Sequence, residues 1–431
     1  MLAPGHARSA FAAAPAARMH ATLLSSEPAK GSTVATSPSR IYLVFSEEVE
    51  ASLGGIRLVG PDGRTVALKA TADPRNVSAL VGPVTTPLDA GTWRVEWRIV
   101  SEDGHPIEGT FTFVVAAARG DTTTVAATPP AADSQQDSAS VEQATVETPA
   151  RSAFADVPVL AAILRGLGVG LLTAFAGLLW FHGTRRDPTH GTRVERLASS
   201  LAIAMAVILV LHFFVWSLAV SPERSLSGEQ MTAVMGTKVG RLEVMRAGLA
   251  VLATWAFVLA RRDRLALVFA AGAMGVSAAT GHSAVIHPGW TIPMRALHLL
   301  AIAAWLGGLL WLLALERPSP DVVVAESQRV SSAALFAVVV VAFSGIVQMK
   351  LFIGDWSEVV RSTYGYGSLL KLAGLGVLVL FGAYHRYRVM PKLGQPGVAD
   401  DFARSLRKEV LVMSLVILVG GLLAYIPPPQ H

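Results

Sequence analysis

A chain of 431 residues, 52% of them hydrophobic and 16% charged, with a mean hydropathy of +0.48, is too apolar for an ordinary soluble protein and points to the membrane class. The formal net charge of +5 comes from basic residues clustered between apolar runs, where membrane topology explains them better than nucleic acid does. Cysteine is absent, which excludes disulfides, thiolate metal sites and a cysteine nucleophile. The chain also lacks a Walker loop, an HExxH and a GxSxG, which argues against nucleotide binding and against an ATPase or a standard hydrolase.

Residues 1–19 are Ala-rich with two arginines and read as a leader or degenerate signal peptide, so that a mature chain would begin at His20. Residues 20–115 read as an all-β Greek-key-type sandwich. In "GTWRVEWRIV", Trp93, Val95, Trp97 and Ile99 alternate with Arg94, Glu96 and Arg98, the period of a strand with one buried face. Residues 116–155, rich in Ala, Thr, Ser, Pro and Gln, read as a flexible tether spanning on the order of 35 Å. The remainder, 156–431, reads as an all-α membrane bundle of eight transmembrane helices. Its apolar stretches lie at about 157–181, 197–220, 241–260, 264–281, 293–315, 331–353, 368–388 and 409–426. With the sandwich outside, the loops assigned to the cytoplasm hold 15 Lys and Arg against 3 in the opposite loops. The chain is therefore expected to be a multi-pass protein of a bacterial-type plasma membrane, with the sandwich and the C-terminus extracytoplasmic.

The stretch "SEDGHPIEGTFTFVV", Ser101 to Val115, places Asp103 and His105 two positions apart ahead of a strand. Taken alone, the residues fit either a tight turn, since Asp-Gly and Pro106 are turn signals, or part of a metal site completed elsewhere.

Together with "HATLLSSEPAKGSTVATSPSRIYLVFSEEV", this segment resembles the CopC family of copper-binding sandwiches along its whole length. The stretches "ALHLLAIAAWLGGLLWL", "TYGYGSLLK", "YHR" and "RSLRKEV" resemble CopD, the membrane partner of that family, so the chain looks like a CopC–CopD fusion. The resemblance implies a Cu(II) site built from the amino group and imidazole of a mature N-terminal His20, with Asp103 and His105. Glu47, in "FSEE", is an outer or weak axial carboxylate in that scheme. Nitrogen-rich donors suit Cu(II), and an α-amino group with a pKa near 8 can lose its proton to a strongly binding cation. The segment from His20 to Val115 has no methionine, so the sandwich is expected to hold Cu(II) only.

Ionisable residues inside a membrane are costly and mark function. His298 lies on the fifth stretch, and His282 and His287 flank the short loop before it; all three fall on the outer side. His212 on the second stretch and His385 near the cytoplasmic end of the seventh are further candidates. Met231 and Met235 are spaced i, i+4 in the first outer loop, and Met245, Met274, Met294 and Met349 map to outer halves of their spans. Thioethers favour Cu(I), so the membrane copper is expected as Cu(I) or Cu(II). Arg295 and Lys371 are basic residues in or near spans, expected to snorkel or to pair with an acid.

The resulting expectation is a non-enzymatic protein of copper homeostasis or resistance. It would capture Cu(II) outside and deliver copper inward, with the copper ion, the bilayer and a copper chaperone as partners. Two other readings stay open: a membrane haem or quinone oxidoreductase using histidine pairs, and extracytoplasmic copper sequestration without transport.

Overall fold

The computed structural model describes residues 21–102, 104–117, 158–184, 192–222, 224–315, 319–395 and 397–429. The expected leader, the expected copper ligands His20 and Asp103, and the segment from 118 onward expected as a tether lie outside the described residues.

Nine strands are present among the described residues: β1 (Leu23–Glu27), β2 (Thr33–Val34), β3 (Arg40–Phe45), β4 (Gly55–Val59), β5 (Thr65–Leu68), β6 (Thr71–Asp73), β7 (Asn76–Pro83), β8 (Gly91–Val100) and β9 (Pro106–Val115). They form two sheets, β1-β3-β7-β6 and β2-β9-β8-β4-β5, packed face to face. All pairings are antiparallel except β2 with β9. The alternation in β8 decides which face is buried. Trp93, Val95, Trp97 and Ile99 turn into a core shared with Leu43, Phe113 and their neighbours, while Arg94 stays exposed. β8 and β9 pair to the end, Val100 opposite Pro106, so Ser101, Glu102, Gly104 and His105 belong to the loop of a long hairpin.

The helical part comprises α1 (Val159–Gly183), α2 (Thr192–Val220), α3 (Gly228–Gly236), α4 (Lys238–Thr254), α5 (Asp263–Ala278), α6 (His282–Val285), α7 (Pro288–Ala314), α8 (Pro320–Ile353), α9 (Thr363–Tyr384) and α10 (Val398–Leu423). Single π-helical turns, Trp255–Leu259 and His385–Val389, prolong α4 and α9. Each of the eight apolar stretches falls on a helix. Six helices, α1, α2, α4, α7, α8 and α9 with their extensions, are long and apolar enough to cross a membrane by length and composition. Of the other two, α5 has only 16 residues, and α10 opens with Asp400, Asp401, Arg404, Arg407, Lys408 and Glu409 before its apolar half.

α1 runs through the middle of the bundle, against α2, α5, α7 and α10. Its crossing with α7 is made by bare backbone: a Cβ on Gly177 would stand 1.8 Å from the Ala303 carbonyl oxygen, and one on Gly307 would stand 2.1 Å from the Gly177 carbonyl carbon. Only glycine permits that approach.

The sandwich is docked on the end of the bundle where α2 stops, α4 begins and α10 finishes. Leu53 and Val100 from the sandwich share one apolar cluster with Phe213, Trp216, Val239 and Tyr425. Around it, Arg98 donates to the Ala219 carbonyl, and Lys238 forms an ion pair with Glu102 at 3.6 Å. Leu53 is fully buried in that cluster. Leu53→Ala should weaken docking by about 2–5 kcal/mol, read as faster amide hydrogen exchange in the 101–105 loop while the β-sheet core remains protected.

Candidate metal centre

The 101–105 loop is tight before it is anything else. The Ser101 amide donates to the His105 carbonyl at 3.0 Å, and the Gly104 amide to the Ser101 carbonyl at 2.9 Å. Gly104 takes φ +86°, which other residues adopt only with strain, and a Cβ there would meet Val239 at 2.8 Å. Its carbonyl accepts from the Trp216 indole N–H at 3.2 Å, so the loop is bolted to α2 and α4 at the same point.

That attachment buries His105, which is 6% exposed. Its ring lies 5.2 Å, centroid to centroid, from the ring of His282 at the start of α6, and 5.1 Å from Tyr425 just beyond α10. A sandwich histidine and a bundle histidine expected on separate grounds thus meet across the interface. The His282 Nε2 donates to the Ile426 carbonyl at 3.2 Å. On the sandwich side, Thr22 and Ser46 exchange bonds at the end of β3: the Thr22 amide donates to Ser46 Oγ and the Ser46 amide to the Thr22 carbonyl, each at 3.0 Å. Thr22 is thereby held beside Ser46, and the next residue, Glu47, is partly buried. Among the described residues no group of three His, Asp or Glu side chains could hold a metal; the set implied for the sandwich draws on two residues outside them.

Below Tyr425 runs a hydrogen-bonded chain that the sequence reading did not mark. The Tyr425 hydroxyl meets His212 Nε2 at 3.0 Å, and Arg246 donates to His212 Nδ1 at 2.8 Å while also pairing with Glu243. His212 Nδ1 also lies 3.3 Å from Glu243 Oε2, between the guanidinium and the carboxylate. Both nitrogens of His212 are engaged, and it acts as a link in this network. Glu243 and Arg246 are each 1% exposed. Their signal was available as an acid and a base spaced i, i+3 inside the third apolar stretch.

His282, His298 and Met349 line one cavity of about 240 Å³ among α1, α7, α8, α9 and α10. His298 Nδ1 lies 2.9 Å from Ser344 Oγ, whose own proton goes to the Val340 carbonyl at 2.6 Å. The imidazole therefore donates from Nδ1 and presents the lone pair on Nε2. A second cavity of about 260 Å³ lies toward the opposite end of the bundle. There His385 Nδ1 lies 3.1 Å from Glu409 Oε2, and its Nε2 meets Ser405 Oγ at 2.7 Å. Trp305 lines both cavities and donates its indole N–H to Glu409 Oε1 at 3.0 Å, standing as the partition. His287, at φ +45°, is exposed at the N-terminus of α7. Of the other methionines, Met231 packs against the interface cluster from α3, Met235 and Met245 are exposed, Met274 is buried in the main core, and Met294 is half-buried on α7.

Docking carries a pH dependence. Glu50 Oε1 accepts from the Lys238 amide at 3.2 Å, and burial raises its carboxyl above the ordinary 4.5, with Glu48 and Glu102 adding to the rise and Lys238 and Arg241 opposing it. A group whose pKa is raised on docking stabilises fully below its free value and loses that contribution as pH climbs through the raised one. Docking should therefore tighten as pH falls toward 4.5, and Glu50→Gln should flatten the dependence. Spin-label distances between sandwich and bundle across about pH 4 to 8 would show it.

Comparison with known proteins places this geometry. Residues 23–116 match the CopC domain, and residues 324–423 match Copper resistance protein D. The chain is 26% identical over 435 residues to Copper transport protein CutJ of Bacillus subtilis (strain 168), covering 96% of this chain and 75% of that protein. It is 41% identical over 108 residues to Copper resistance protein C of Pseudomonas syringae pv. tomato, covering 23% of this chain and 82% of that one. The crystal structure of CopC from Methylosinus trichosporium OB3b aligns with 24% of this chain and 100% of its own, at 27% identity and a TM-score of 0.23. With a CopC sandwich at one end and a CopD bundle at the other, the chain belongs to the CopC–CopD copper-resistance family.

Proposed function

We propose that this protein captures Cu(II) on its extracytoplasmic sandwich, hands it to the bundle at the His105–His282 contact and delivers copper inward across the membrane. The observation that carries the reading is the 5.2 Å separation of those two rings. A metal with ligand nitrogens at about 2 Å can exchange between imidazoles so placed without leaving the interface. The names of the relatives, a copper transport protein and a copper resistance protein, support copper as the cargo.

In this reading His20, Asp103 and His105 hold Cu(II), with Glu47 beside them, and the leader 1–19 is removed to free the amine of His20. His105 is accessible for loading when the sandwich is undocked, and the 116–155 tether keeps the sandwich near the surface at roughly millimolar effective concentration. Eight helices cross the membrane, α5 and α10 included, and the surplus of Lys and Arg keeps the loops 182–196, 261–264, 316–330 and 386–408 in the cytoplasm. From His282 copper passes His298 and Met349 in the outer cavity, then Trp305, and leaves by the cavity of Glu409 and His385.

Copper uptake into proteoliposomes tests the route. His105→Ala, His282→Ala and His298→Ala should each cut uptake at least tenfold, but only His105→Ala should also abolish the Cu(II) d–d band of the full chain. Full uptake in all three variants refutes the route. Extracytoplasmic sequestration would instead give copper binding with no uptake in any of them.

The partition is tested separately, and the natural absence of cysteine makes the labelling unambiguous. Val338→Cys, in the second cavity, should react with a membrane-impermeant thiol reagent from the cytoplasmic side only. Adding Trp305→Ala should make it react from both sides.

A further inference from the structure

The first cavity carries a charge that a route for cations does not explain. Arg165 from α1, Arg295 from α7 and Lys371 from α9 all line it, and among the described residues no aspartate or glutamate does. The two guanidinium groups have a structural task. Both converge on Gly281: Arg165 donates to Thr280 Oγ1 at 2.9 Å, and Arg295 donates to the Thr280 carbonyl at 3.0 Å and to Ser283 Oγ at 3.1 Å. They brace the turn that presents His282.

Lys371 has no such task. It lies roughly two turns into α9, inside an apolar span, and its side chain reaches α10, where a Cβ on Gly420 would stand 3.8 Å from Nζ. Among the described residues its ammonium has no hydrogen-bond or ion-pair partner. The acidic partner expected from the sequence is not on the wall. An uncompensated cation at this depth costs several kcal/mol, and two further cations beside it raise that cost.

The remaining walls suit an amphiphile. The hydroxyl-bearing Tyr364 and Ser368 and the amide of Gln348 line the same cavity as Lys371, and aliphatic side chains such as Ile346, Leu372, Leu375 and Val416 make up much of the remaining wall. Ile346 on α8 and Leu372 on α9 line the cavity and yet are 51% and about half exposed on the outside of the bundle, so the cavity opens sideways between these helices, where lipid would lie.

We propose that the outer cavity is a binding site for an oxyanion headgroup, a carboxylate or a phosphate, held by Lys371 and Arg295, with the side opening between α8 and α9 as its entrance for an acyl chain. The site stands on the cavity alone. If the copper route also holds, the bound anion cancels the fixed positive charge that a copper ion would otherwise meet at His298.

The test needs no copper and no transport. The full chain in uncharged detergent is titrated calorimetrically with oleate, acetate, phosphatidylglycerol, inorganic phosphate and oleyl alcohol. Saturable binding of oleate or phosphatidylglycerol at one site, with acetate and phosphate much weaker, identifies a lipid-borne oxyanion; comparable binding of the free ions identifies the headgroup alone as the ligand. In either case Lys371→Met should weaken binding at least tenfold, and Lys371→Arg should stay within about threefold. Equal affinity for oleyl alcohol and oleate, no saturable binding of any anion, or unchanged affinity in a folded Lys371→Met protein overturns the proposal. The oleyl alcohol comparison uses wild-type protein and so decides the matter even if the variant does not fold.

Discussion

The arrangement depends on one short loop being buried between two domains. Residues 101–105 must turn a hairpin, present His105 and lie flat on the bundle at once. Glycine at 104 is what reconciles these demands, through its positive φ and the close approach of Val239. The Trp216 indole then locks the loop's carbonyl in place. A buried polar loop would be costly without such partners. Here the loop bonds to itself through Ser101, Gly104 and His105, and Trp216 of the bundle supplies the donor for the Gly104 carbonyl.

Charge is distributed along the bundle in three zones. Beneath the docking surface Glu243, Arg246, His212 and Tyr425 form a network in which the buried carboxylate and guanidinium offset one another's charge. In the middle, cations outnumber acids around the first cavity. Toward the far end the acid is Glu409, bonded to Trp305 and His385. Arg386 lines that far cavity as well, so its acid stands opposite a base.

Much of the architecture was legible because it rests on local periodicity. The period of two in β8, the turn at Asp-Gly and the apolar runs of the helices each report on burial within a few residues. The histidines of the outer end were legible as ionisable groups in apolar surroundings, and His282, His298 and Met349 do share one cavity. Less legible were the groups at stretch ends. Glu243, Glu409 and Tyr425 sit where an apolar run gives way to polar residues, and there charge reads equally as solvated. Only neighbours from distant helices bury them.

The amino-acid sequence by itself determined a sandwich and an apolar helical region with copper-family signatures, because strand alternation, turn chemistry and hydropathy are properties of neighbouring residues. The tertiary structure alone decided that His105 faces His282, that His212 is tied into a network, and that Lys371 shares a cavity with Arg165 and Arg295. Those facts depend on contacts between residues scores to hundreds of positions apart, and no local pattern encodes which of several polar groups a buried side chain will meet.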